Sequence, residues 1–117
     1  MAIKRIKVGD RMSQAVVYNG TVTTAGQVAQ GAPGASVTDQ TKDILASIDA
    51  LLAEAGTDKS KALSATIWLS DIGDFAEMNA VWDAWVSPGN TPTRACVESK
   101  LASPKFTVEI AVSAAVG

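Results

Sequence analysis

PTRACVESKLASPKFTVEIAVSAAVG, residues 92–117, holds two runs with the period-two alternation of β-strands. Over residues 93–99, Arg94, Cys96 and Glu98 fall on one face and Thr93, Ala95 and Val97 on the other. Over residues 106–116, Phe106, Val108, Ile110 and Val112 make a large apolar face, and Thr107, Glu109, Ala111 and Ser113 a small one. Pro104 lies in the connection, where a missing backbone donor does no harm. The pair reads as a terminal hairpin. Paired antiparallel, its strands can carry Arg94 and Glu109 on one common face, turned away from any covering helices. A sheet face of Ala, Ser and Thr is too bare for a soluble monomer to leave to water, so burial against another subunit is expected.

Upstream of this segment the pattern is equally regular. Residues 14–18 and 21–28 are rich in β-branched side chains and flank Asn19-Gly20, a pair suited to a type I′ turn. Gly26 interrupts the second run and suggests a bulge or a close backbone approach. After the loop QGAPGAS (30–36), Val37, Thr41, Ile44, Leu45, Ile48, Leu51, Leu52 and Ala55 recur at helical spacing. Ser36 or Thr38 can cap that helix, and Gly56 can end it. Leu63, Ala65, Ile67 and Leu69 alternate with polar neighbours as a strand. A second helix over residues 72–86 carries Phe75, Met78, Trp82 and Trp85 on one stripe and stops at Pro88-Gly89-Asn90. The order β-β-α-β-α-β-β implies an α+β domain spanning residues 1–117, one mixed sheet with two helices on one face.

Composition prunes the chemistry. The chain has 117 residues, enough for one modest core. It has no histidine, which removes the commonest general base, the histidine-activated nucleophiles and the usual imidazole metal sites. Its one cysteine, Cys96, permits no intrachain disulfide, and without a histidine partner it lacks a standard activating base. A net charge of −2 and an acidic pI argue against a nucleic-acid surface. No apolar run is long enough to span a membrane. Lys4, Arg5 and Lys7 are basic but are not followed by the apolar run of a signal peptide, so the expected compartment is the cytoplasm.

Three polar residues break the tidy pattern. Asn79 falls on the apolar stripe of the second helix, either as a buried amide bonded to a loop or as part of a site. Arg94, beside a small thiol, suits a planar carboxylate, or else an ion pair with Glu98 or Glu109. Glu109 interrupts the last strand.

Pro92-Thr-Arg94-Ala-Cys96-Val-Glu98, followed by Val108-Glu109-Ile110, resembles the C-terminal signature of the YjgF/Rid (reactive intermediate deaminase) family. Thr24-Ala-Gly26-Gln27 and Asp74-Phe75-Ala-Glu-Met-Asn79-Ala resemble two further segments of it in the same order. The resemblance implies the chorismate-mutase-like fold and a homotrimer with clefts between subunits. It implies hydrolysis of 2-aminoacrylate-type enamines or imines to 2-keto acid and ammonia, with no cofactor and no metal. On that reading Arg94 grips the substrate carboxylate and Glu109 positions or activates water. Gly26 and Cys96 contact the ligand through backbone, and Asn79 helps form the cleft. Met12 stands where many members carry a tyrosine, which changes one cleft wall. A trimer that only binds 2-keto acids or similar carboxylates is the alternative.

Overall fold

A computed structural model describes residues 2–117. Its strands are β1 (Lys4–Val8), β2 (Ser13–Tyr18), β3 (Thr21–Thr24), β4 (Gln27–Val28), β5 (Ala62–Leu69), β6 (Thr93–Glu98) and β7 (Val108–Ala115), and its helices α1 (Val37–Glu54) and α2 (Phe75–Trp85). The sheet order is β1-β2-β3-β7-β5-β6, with β4 pairing β7 beyond the end of β3. Among the described residues only β5 and β6 run parallel. They are joined through α2, the crossover that a parallel pair needs.

The expected terminal hairpin does not form. β6 pairs with β5 at the edge of the sheet, whereas β7 lies between β3 and β5. The physical reason lies in the connections. Residues 99–107 are longer than a tight hairpin loop, and a strand–helix–strand passage places β6 beside β5 instead. β7 fits the centre because Val108, Ile110, Val112 and Ala114 are all buried on its helical face. A further strand, β1, lies outside the two-strand start expected from the sequence. Among its residues only Ile6 is buried, and its exposed lysines and arginine suit an edge.

Local signals are met where backbone chemistry dictates them. Asn19 and Gly20 take φ of 54° and 77°, as a type I′ turn requires. The break at Gly26 separates β3 from β4. Ser36 Oγ accepts from Asp39 N–H at 3.1 Å and caps α1. At the other end Gly56, φ 85°, closes the helix while Thr57 N–H reaches Leu52 C=O. A shift of register between Ala62 and Ser64 turns Leu63 out to solvent and puts Ala62 in its place.

The core is formed by Ile44, Ile48 and Leu52 of α1, Met78 and Trp82 of α2, and Ile67, Leu69 and Ile110 of the sheet. One polar side chain ties the irregular residues 99–107 to it. Gln40 is fully buried on α1; its Nε2 donates to Ala35 and Lys105 C=O, and its Oε1 accepts from Thr107 N–H at 3.0 Å. That bond fixes the chain as it enters β7. Gln40→Leu keeps the volume but takes the side-chain partner from the part-buried Ala35 C=O and Thr107 N–H, so urea unfolding should show a loss of about 1–3 kcal/mol.

Candidate functional site

The register of β5 decides where each candidate side chain lies. Ala65 of β5 is buried under the helices and stands beside Arg94 in β6. Arg94 therefore lies on the helical face. Its Nη1 donates to Asn79 Oδ1 at 2.7 Å, and its guanidinium carbon stands 5.5 Å from the centres of both the Phe75 and Trp82 rings. Phe75, Asn79 and Trp82 follow one another along a single stripe of α2, so one helix supplies both the amide and the two aromatic walls. The rings and the amide hold the guanidinium while leaving most of its five N–H donors for a planar anion. Phe75 is 39% exposed, so this face is open at the sheet edge.

Cys96 stands beside Ile67 on the same face, half-buried against the core. Burial pushes its thiol up, outweighing the opposing pull of the Arg94 charge. Glu98 does not pair with Arg94; its Oε1 accepts from Ile72 N–H at the 3₁₀ turn that leads into α2.

Glu109 is on the other side. It stands opposite Trp68 of β5, three residues from Ala65 and hence of the opposite parity, and opposite Val28 of β4. The expectation that Arg94 and Glu109 share one face is thus corrected. With β6 attached to β5 and not to β7, the register puts them on opposite faces of one sheet. Glu109 is half-buried, and burial pushes its carboxyl up from the usual carboxylate range. Its carboxylate lies against Gly26, where any Cβ would collide with it. The glycine at the sheet break is what makes room for the acid.

The candidates therefore form two groups. Arg94, Asn79 and Cys96 come together on the helical face at the β6 edge, and Gly26 and Glu109 on the opposite face near the middle of the sheet. Phe75 and Trp82, read from the sequence as core, are also the platform of the arginine. Their spacing around Asn79 carried that signal. Met12 is exposed and lines, with Gly26, a cavity of about 350 Å³ between β2, β4 and α1.

A family model described as Endoribonuclease L-PSP matches residues 2–116. The chain is 45% identical to the RutC family protein YoaB of Escherichia coli, over 99% of its own length and all of that protein's. It is 44% identical to a RutC family protein of Haemophilus ducreyi, over 97% of each chain. The crystal structure of NMB1025, a member of the YjgF protein family from Neisseria meningitidis, superposes with a TM-score of 0.96 at 47% identity, covering all of this chain and 97% of that one. The fold, the order of its segments and these likenesses agree, and the chain belongs to the Endoribonuclease L-PSP family that includes the RutC and YjgF proteins.

Proposed function

We propose that the protein is a hydrolytic deaminase of small 2-imino acids and their enamine tautomers, acting at clefts between the subunits of a homotrimer. The observation that carries this reading is the placement of Arg94 and Glu109 on opposite faces of one sheet. One chain does not bring them together, but two copies can, if the β6 edge of one approaches the small-residue face of the next. Leu63, Phe75 and Val97, exposed about β6 and the start of α2, supply the apolar surface for such a contact.

The chemistry asks little of the protein. The substrate R–C(=NH)–COO⁻ is already electrophilic, and its hydrolysis yields R–CO–COO⁻ and ammonia. Arg94 binds the carboxylate and orients the C=N carbon, which removes translational and rotational freedom before reaction. Glu109 takes a proton from water as the oxygen adds to that carbon, and the proton passes to nitrogen. In the resulting carbinolamine the hydroxyl proton passes to nitrogen as C=O forms and the C–N bond breaks, expelling ammonia. An enamine substrate first takes a proton on carbon to become the imine. Asn79, Phe75 and Trp82 keep the guanidinium in place. The Cys96 thiol, raised by burial, stays protonated and is no nucleophile here. Cleavage of RNA is disfavoured by the acidic pI and the missing histidine. Met12 in the cleft wall favours one alternative, a module that binds 2-keto acids without turnover.

Following the decay of 2-aminoacrylate or of oxidase-generated imino acids separates these readings. Wild type should accelerate hydrolysis. Arg94→Ala should lose about 10²-fold or more in kcat/KM, and Arg94→Lys should recover little because an ammonium lacks the fork geometry. Heat stabilisation by 2-keto acids without any acceleration would leave only the binding module. A second prediction follows from the raised carboxyl of Glu109. A general base must be ionised, so kcat/KM should climb with pH along a limb lying above the ordinary glutamate value of about 4.3. Glu109→Gln should abolish that limb. The same buried acid costs stability once ionised, because its folded pKa exceeds its unfolded one. Wild type should thus lose stability, relative to Glu109→Gln, as pH rises through that window.

A further inference from the structure

The cavity beside Gly26 is not accounted for by the two groups above. It lies where the sheet splits after β3, closed by α1, and is lined by Lys7, Met12, Gln14, Gln27, Gln30 and Ser47 with an apolar floor. At about 350 Å³ it exceeds what the methylene of 2-aminoacrylate needs and falls in the range of small-molecule sites. None of its lining residues is acidic.

Its polar groups are ordered in a definite sense. Gln27 Nε2 donates to the backbone carbonyl of Ala25 at 3.1 Å, and a carbonyl can only accept, so the orientation of the Gln27 amide is fixed. The same nitrogen donates to Gln14 Oε1 at 3.0 Å, which fixes Gln14 in turn. Left over are Gln27 Oε1, an acceptor, and Gln14 Nε2, a donor, and neither has another partner among the described residues. Lys7 joins them from β1 with a φ of 51°, a left-handed conformation uncommon outside glycine, and lines the cavity although its neighbour Ile6 fills the core. One free donor and one free acceptor on two hydrogen-bonded residues of the lining match a primary carboxamide. A carboxylate, even with one oxygen paired to Lys7, would leave the Gln27 oxygen without a donor, and a hydrocarbon would leave both amide groups unpaired.

We propose that this cavity receives a carboxamide at the end of the substrate's side chain, so that the preferred substrate is an imino acid of the kind derived from glutamine. This rests on the deaminase reading: Gly26 lines the cavity and also lies against the Glu109 carboxylate, so the break in the sheet at Gly26 is where the cavity closed by α1 approaches the acid of the other face. Met12 forms part of the wall as a flexible apolar residue in contact with the substrate's methylenes.

The test is a comparison of kcat/KM for imino acids made in situ from glutamine, glutamate, leucine and alanine. The glutamine product should be favoured over the glutamate and leucine products by at least about tenfold, since a site with built hydrogen-bond partners rejects analogues that cannot satisfy them. In Gln14→Glu, which still accepts from Gln27 but loses the donor, the ratio of glutamine-derived to alanine-derived turnover should fall at least about tenfold. Gln14→Leu should lower it likewise, with thermal melting confirming that both variants fold. Hydrolysis of all four imines with no such preference, or a ratio unchanged in both variants, would overturn the carboxamide pocket and leave the deaminase standing. No acceleration of any imine would overturn both.

Discussion

The hydrogen-bond register of β5 is the constraint on which the rest depends. It binds β6 on one side and β7 on the other, with Ala65 beside Arg94 and Trp68 opposite Glu109. Because successive side chains alternate, a slip of one residue in either ladder would carry a charged group through the sheet. The register is held because every misplaced residue would cost core. Ile67, Leu69, Val108 and Ile110 are fully buried, and each would be exchanged for a polar neighbour.

Placing an arginine on the helical face beside such a core demands compensation. α2 supplies it with the Asn79 amide and the rings of Phe75 and Trp82, and the open edge at β6 leaves the outer donors in contact with solvent. The opposite face solves a converse problem. A half-buried carboxylate is tolerated where Gly26 gives it room, and it remains less acidic than an exposed glutamate. The Glu109 carboxylate is held in a state poorer than water would offer, the kind of arrangement that reactive sites share. The family to which the chain belongs is consistent with such a use.

Much of this was legible in the residues. Alternation located β2, β3, β5, β6 and β7, helical spacing located α1 and α2, and Asn19-Gly20, Ser36 and Gly56 marked the turn and caps that form. The polar interruptions at Asn79, Arg94 and Glu109 pointed to side chains that the structure holds in unusual settings. Strand partnership was not legible from period alone. β6 and β7 alternate equally well whether they pair with each other or flank β5, and the helix between β5 and β6 was the clue that favours a parallel pair. β1 escaped notice because one buried isoleucine among lysines and arginine makes no pattern. The orientation of the Gln14 and Gln27 amides depends on the backbone carbonyl of Ala25 and could not be read from spacing.

On the deaminase reading, one sheet contributes its two faces to two different reaction sites. Mixing Arg94→Ala and Glu109→Gln chains tests it directly, by unfolding them together and refolding them as mixed oligomers. If each site takes its arginine from one copy and its glutamate from another, random assembly from equal amounts should restore about a quarter of wild-type imine hydrolysis, one chance in two for each half. Mixed oligomers as inactive as either variant alone would contradict a site shared between copies.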